Sequence, residues 1–365
     1  MSMANERIYN FAAGPSMLPL EVLEQAGSEI TNFGGSGMSV MEMSHRSKVY
    51  LSIFEETKAN FKRLFNVPDT HEILFLGGGA TLQFAMVAMN LISRTGKADY
   101  AITGSFAKKA YDEAAKHGDV RIAVSTADCN HTRIPTQEEL NIRSDASYFY
   151  YTANNTIYGT EWKYTPEVPE GVILVSDMSS DILTRPVDIS KYGIIFAGAQ
   201  KNMGPAGVTV AIVDKSITGN ALPYTPVMLD YAAMIKGDSM HNTPPCWNIY
   251  MLGLVLKWLD KQGGIEGMQA IKHDKAKLLY DFIDNSKLFN CAVVPEARSD
   301  MNVVFTTGDA DLDKKFAADA TKAGMSNLNG HRSVGGMRAS IYNAMPTEGV
   351  KYLIEFMKKF EQENG

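Results

Sequence analysis

Lys201 sits in the run Gly198-Ala199-Gln200-Lys201-Asn202-Met203-Gly204-Pro205-Ala206-Gly207. Glycines and small residues on both sides let the backbone come close to a bound group, and a lysine amine placed there can act as a nucleophile toward a carbonyl. A surface lysine would simply keep its charge in water; the glycine crowding favours function. Asp177 ends the apolar run Val172-Ile173-Leu174-Val175-Ser176-Asp177. Taken alone, an acid at a strand tip is more often a helix cap or a solvated turn. Gly77-Gly78-Gly79-Ala80-Thr81 follows the run His71–Leu76 and leads into a helical pattern. Amides at such a helix start can cradle a phosphate, although a tight strand-to-helix turn explains the glycines equally well.

An amine, a carboxylate and an anion cradle in one crevice are the parts that a pyridoxal phosphate site needs. The lysine forms a Schiff base with the aldehyde, the acid pairs with the pyridinium nitrogen, and backbone amides hold the phosphate. Phe106, which follows the run Asp99–Thr103, offers a face to stack on the ring, though a core position is the commoner role for such a residue. The glycine run lacks the GK[ST] ending of a P-loop and the GxGxxG spacing of a dinucleotide site, which weighs against a nicotinamide-dependent oxidoreductase.

Such residues need strands that end side by side. From residue 70 to 215, short β-rich runs alternate with helical patterns: His71–Leu76, Asp99–Thr103, Val120–Val124, Ser147–Thr152, Val172–Ser176, Tyr192–Ala197 and Val208–Val213. Several are apolar throughout, as strands covered on both faces are, and Leu82, Met86 and Met89 keep a helical spacing between two of them. The pattern predicts an α/β fold around a mostly parallel seven-stranded sheet, with ligands at the carboxyl ends of the strands. A helix over Pro19–Ile30, with proline in its first turn, precedes the sheet. Two helical stretches follow it, Trp247–Gln262 and Ile265–Asn285, parted by Gly263-Gly264. Strand candidates Asn302–Thr307 and Met337–Tyr342, with helices near Asp311–Ala323 and Thr347–Glu363, then suggest a smaller α+β unit. The expected division is a large domain over 17–260 and a small one built from 1–16 and 261–365.

The 365 residues carry 35 Lys+Arg against 41 Asp+Glu, a formal charge of −6, which is not the balance of a nucleic-acid binder. With 45% hydrophobic and 21% charged residues the chain falls among folded proteins, not disordered ones. The longest nearly apolar stretch, Ile249–Leu259, contains Lys257 and falls short of the roughly 20 residues that span a bilayer. Met1–Asn10 includes Glu6 and Arg7 and no apolar h-region, so a cytoplasmic location is expected. Cys129, Cys246 and Cys291 are too scattered for a disulfide framework or a CxxC site, and no histidines have metal-ligand spacing, so no metal is expected.

With these residues in view, the sequence resembles the phosphoserine aminotransferase family, transaminases of fold type I that depend on pyridoxal phosphate. The likeness runs over nearly the whole chain. It is carried by Asn10-Phe11-Ala12-Ala13-Gly14-Pro15, Met41-Glu42-Met43-Ser44-His45-Arg46, Ser176-Asp177-Met178-Ser179-Ser180, Gly198-Ala199-Gln200-Lys201-Asn202 and Asn242-Thr243-Pro244-Pro245. Gly330-His331-Arg332-Ser333-Val334-Gly335-Gly336-Met337-Arg338-Ala339-Ser340 completes it and is the most specific segment, because many transaminases share the lysine and the aspartate but not this pair of arginines.

The resemblance implies that Lys201 is the catalytic lysine joined to the cofactor, that Asp177 pairs with the ring nitrogen and that Thr156 hydrogen-bonds the cofactor. It implies a phosphate held by Ala80, Thr81 and Gln200, together with Asn242 and Thr243 from the other subunit of a homodimer. Arg46 would bind the amino-acid carboxylate, while His45, His331, Arg332 and Arg338 would line the pocket for a second anion. Guanidinium groups grip carboxylate or phosphate bidentately, which suits substrates with an anion at each end. The implied reaction moves an amino group from glutamate to 3-phosphooxypyruvate and gives O-phosphoserine and 2-oxoglutarate; a related reaction on a phosphorylated hydroxy-threonine belongs to vitamin B6 synthesis. Three positions depart from members of the family. Phe106 stands where several have tryptophan, Ala80-Thr81 where others have an arginine after the glycines, and Ala13 where a serine lies near the substrate. The rivals of the same fold are an alanine–glyoxylate transaminase, which needs no second anion site, and a cysteine desulfurase. A desulfurase needs a catalytic cysteine in a mobile Gly/Ser-rich loop, and none of the three cysteines lies in one.

Overall fold

The computed structural model describes residues 7–365. The part of the expected small domain at 1–6 lies outside the described residues. Seven strands form the main sheet in the spatial order His71–Leu76, Thr209–Asp214, Ile194–Gly198, Ile173–Asp177, Tyr148–Thr152, Lys97–Ile102, Asp119–Ser125. Neighbours run parallel except Thr209–Asp214, which is antiparallel to both strands beside it. The strands that read as uniformly apolar are the central ones: every residue of Tyr148–Thr152, Ile173–Asp177 and Ile194–Gly198 is buried. Alternate side chains feed two cores. Phe149 and Tyr151 point into one layer, Tyr148 and Tyr150 into the other, as the two-residue period of a strand requires.

The helix Gly79–Leu91 crosses one face, and Tyr50, Ile53, Phe54, Thr57, Phe61 and Leu64 of a helix over Lys48–Leu64 are buried on the other side. That second helix packs on Cys246–Lys261 closely enough that a Cβ on Gly253 would meet Thr57 Oγ1 at 2.4 Å. Pro19 stands just before the helix Leu20–Glu29 and not inside its first turn, because its ψ of 136° is extended.

A third core lies toward the C-terminus, beneath the two-stranded antiparallel sheet Asn302–Phe305 with Met337–Ser340 and the helices Ala310–Lys322 and Thr347–Asn364. Tyr9–Asn10 joins this part by pairing in parallel with Met325–Ser326, and Phe11 is buried in its core. The helix Gly264–Asn285 serves two cores: Ile265 and Met268 pack with the large one, Ala276, Leu279 and Ile283 with the C-terminal one. Among the described residues no helix is long and apolar enough to cross a membrane, and no three His, Cys, Asp or Glu side chains are grouped as metal ligands.

Candidate active site

Strand register brings the chemistry together. Thr152 pairs with Asp177, Asp177 with Phe196, Gly198 with Thr209, and Thr209 with Leu76. The ends of four strands therefore share one edge, and the turn holding Lys201, the carboxylate of Asp177 and the glycines after Leu76 all leave from it. A cavity of about 150 Å³ opens there, lined by Ala80, Thr81, Phe106, Thr156, Asp177, Gln200 and Lys201 among others.

The helix Gly79–Leu91 starts at Gly78, whose φ of 87° suits glycine, and its first internal bond is Leu82 N–H to Gly78 O, 3.4 Å. The amides of Gly79, Ala80 and Thr81 are left for an outside acceptor at the positive end of the helix dipole. Across the cavity the half-buried Lys201 amine donates to Thr156 Oγ1 at 2.8 Å, Thr156 donates to Ser180 Oγ at 3.1 Å, and Ser180 donates to Asn154 O at 3.0 Å. Burial pulls the Lys201 pKa down to about 8; Asp177 opposes this and the Arg338 cation adds to it. Asp177 is buried, and that pushes its carboxyl above the ordinary range, while the Ser179 hydroxyl and amide and the Lys201 charge pull it back. The Ser179 N–H to Asp177 Oδ1 bond is 2.9 Å. Phe106 is half-buried, with the Lys201 Nζ 5.4 Å from its ring centroid.

The segment after Gly330 brings Arg338 against Thr156 of the cavity lining. Arg338 is half-buried on the strand Met337–Ser340, its Nη1 donates to Thr156 O at 3.3 Å, and its Nε is buried without a partner in the protein. His331 has its pKa lowered by burial and then by Arg338, Arg332 and Lys109. Lys109 was not among the expected residues. It lies on the helix Ser105–Ala114 with its Nζ 5.4 Å from the Phe106 centroid. Its signal in the sequence was its place three residues after Phe106, one helical turn away on the same face.

Seven expected residues lie outside the cavity lining: His331, Arg332 and Arg338 just described, and four more. Arg46 is exposed just before the helix Lys48–Leu64, with its backbone amide bonded to Ser44 Oγ, and the neighbouring His45 has a buried, unpartnered Nε2. Asn242 and Thr243 are exposed and line a separate groove of about 310 Å³ beside Leu76 and Gly77.

The residues fit pyridoxal phosphate by their donor chemistry. A depressed lysine amine, a buried carboxylate, free helix amides and the unpartnered hydroxyl of Thr152 face one cavity. The chain matches the family model described as aminotransferase class-V over residues 8–353. It is 49% identical to a phosphoserine aminotransferase of Bacillus thuringiensis subsp. konkukian, over 98% of this chain and 99% of that one. It is 50% identical to that of Laribacter hongkongensis over the same shares. Among solved structures, a phosphoserine aminotransferase from Bacillus circulans subsp. alkalophilus superposes with a TM-score of 0.97 at 44% identity, covering 99% of this chain and all of that one. A pyridoxal-phosphate-bound phosphoserine aminotransferase from Trichomonas vaginalis gives 0.92 at 40%, covering 96% of this chain and all of that one. An alanine–glyoxylate aminotransferase from Nostoc shares the fold alone, with a TM-score of 0.79 at 15% identity. On this evidence of sequence, fold and site, the chain belongs to the phosphoserine aminotransferase family, class-V aminotransferases that work with pyridoxal phosphate.

Proposed function

We propose that Lys201 is the catalytic residue for amino transfer from L-glutamate to 3-phosphooxypyruvate, the reaction of the family, which yields O-phospho-L-serine and 2-oxoglutarate. When bound, pyridoxal phosphate supplies an aldehyde that condenses with amines and a ring that takes up the electron pair left when a substrate α-proton departs. The chain supplies position, charge and proton transfer. Lys201, desolvated to a pKa of about 8, offers a substantial share of neutral amine near neutral pH. That amine would be the base that takes the proton from the substrate α-carbon. Thr156 accepts a hydrogen bond from it and so aims its lone pair. Asp177 provides the negative charge that keeps a proton on the ring nitrogen.

Ala80 and Thr81 amides, with Gln200, hold the phosphate in this reading, and Phe106 covers the ring. Because Arg338 touches the carbonyl of Thr156, the residue that holds the Lys201 amine, we assign it the substrate's α-carboxylate. That differs from the role expected for it above. His331, Arg332, His45 and Arg46 are left for the distal phosphate or carboxylate, which for Arg46 replaces the expected amino-acid carboxylate. The exposed positions of Arg46, Asn242 and Thr243, outside their own cavity, fit a homodimer in which Asn242 and Thr243 reach the partner's cofactor phosphate. The division into 17–260 and 261–365 with the N-terminal segment belongs to the same reading, as does a cytoplasmic location.

One observation carries the assignment: Lys201, Asp177 and the open helix start face a single cavity, and Arg338 donates to the carbonyl of Thr156 in its lining. The test is glutamate-driven amination of phosphooxypyruvate, assayed beside alanine with glyoxylate. The first pair should be turned over with the higher kcat/KM, and Arg332→Ala should raise KM for the phosphorylated substrate. Faster turnover of alanine with glyoxylate would contradict the reading.

A further inference from the structure

Lys275 lies on the helix Gly264–Asn285 and is fully buried at the junction of the large and C-terminal cores. Its ammonium donates to three main-chain carbonyls: Tyr342 O at 2.8 Å, Met345 O at 2.9 Å and Asn343 O at 3.4 Å. No carboxylate among the described residues pairs with it. Lys272, one turn earlier on the same helix, is built in the opposite way, with Glu161 at 3.3 Å and Asp300 at 3.6 Å. Burial without an acid pulls the Lys275 pKa down to about 7, and the three carbonyl dipoles, taking the place of water, are what favour its charged form. Such a ring of carbonyls is also how proteins hold a desolvated monovalent cation.

The turn gripped by Lys275 leads back to Lys201 by two routes. Asn343 N–H donates to Asn202 Oδ1 at 3.1 Å, and Asn202 Nδ2 donates to Ser180 O at 3.0 Å. Tyr342 Oη donates to Ala13 O at 2.7 Å and accepts from Asn302 Nδ2 at 3.1 Å. Asn154 Nδ2 then joins Asn302 Oδ1 and Ser180 Oγ, each at 2.8 Å. Ser180 Oγ is the acceptor for Thr156, which orients the Lys201 amine.

We propose that Lys275 is a positioning residue, a tethered cation that holds the 342–345 turn and through Asn202, Asn302 and Ser180 fixes the aim of Lys201. The proposal rests on the reading of Lys201 as the catalytic lysine. Lys275→Met keeps the volume and removes the charge and the donors, while Lys275→Ala leaves a space for a small cation. Lys275→Met should retain bound cofactor and lose about tenfold or more in kcat, with a smaller change in KM, as misplacement of a reacting group does. Methylammonium or potassium should restore kcat to Lys275→Ala but leave Lys275→Met and the unmodified enzyme unchanged. If the variants fold poorly, thermal unfolding reads the same question: methylammonium should raise Tm for Lys275→Ala only. Full kcat in cofactor-loaded Lys275→Met overturns the proposal, as does a Lys275→Ala protein indifferent to cations in both kcat and Tm. Turnover by Lys201→Ala would instead overturn the catalytic assignment and leave the cation response of Lys275→Ala as a separate result.

Discussion

At Lys201 one side chain is asked to be both a tether and a base, and burial is what makes it able. An exposed lysine is almost wholly protonated at neutral pH, whereas this one has its pKa pulled down to about 8 by desolvation. Uptake of pyridoxal phosphate by the cofactor-free protein should therefore rise with pH along a curve centred near 8. Stopped-flow absorbance across a pH series checks this, and a midpoint near the ordinary lysine value of 10.5 would count against it. The sign for stability follows from the same shift. Between about 8 and 10.5 the unfolded chain binds the proton that the fold has released, so this group makes the cofactor-free protein more stable as pH rises through that window.

Asp177 has the opposite sign. Its folded pKa is raised, so its ionised form weighs on the fold above the ordinary carboxyl pKa of 3.8. Asp177→Asn should leave the cofactor-free protein at least as stable at neutral pH, measured by urea unfolding. The loaded enzyme should lose kcat by about 10²-fold or more, the scale of a removed preorganised charge. Stability lost in step with activity would mean that the carboxylate is structural.

At the scale of elements, the helix start at Gly78 is the part most open to a single substitution. Its φ is +87°, and a Cβ there would lie 2.4 Å from Leu82 Cδ2 and 2.7 Å from Leu82 Cβ. Gly78→Ala should destabilise the protein by about 1–3 kcal/mol and weaken cofactor binding, because the strained turn can no longer present its amides. Gly77→Ala meets nothing within 4 Å and should leave Tm of the cofactor-free protein unchanged. Calorimetry with a cofactor titration separates the two.

Most strands were legible in the sequence because they are buried on both faces and leave no polar alternation to misread, the edge strand Asp119–Ser125 excepted; His71–Leu76 matches residue for residue. Strand ends were less so: the runs beginning at Asp99 and Tyr192 form strands over Lys97–Ile102 and Ile194–Gly198. The helix Lys48–Leu64 was not marked. Its apolar stripe keeps helical spacing, but Glu55, Glu56 and Lys62 on its exposed side hide the stripe in a linear reading. Lys201, Asp177 and the glycines could be read from residue type and glycine context. Lys275 and the chain Thr156–Ser180–Asn154–Asn302 could not, because their meaning lies in partners far along the chain.

At the scale of the whole molecule, the helix Gly264–Asn285 lends its first turn to one core and its later turns to another, so a boundary drawn from composition alone could not be sharp. The proposed homodimer gives its own test. A subunit carrying Lys201→Ala and one carrying Asn242→Asp, which sets a carboxylate against the phosphate, should each be poorly active alone. Unfolded together and refolded, they should form mixed dimers with one intact site each, restoring up to about a quarter of wild-type activity under random two-fold pairing. Activity no higher than the average of the parents would contradict the sharing of sites between subunits.

The central claim, that the Lys201 amine binds the cofactor opposite Asp177, is tested most directly by reducing the yellow holoenzyme with borohydride and mapping the modified peptide by mass spectrometry. The account predicts loss of the visible band and a single pyridoxyl adduct on Lys201. An adduct on another lysine such as Lys109, or none after the band has bleached, would contradict it.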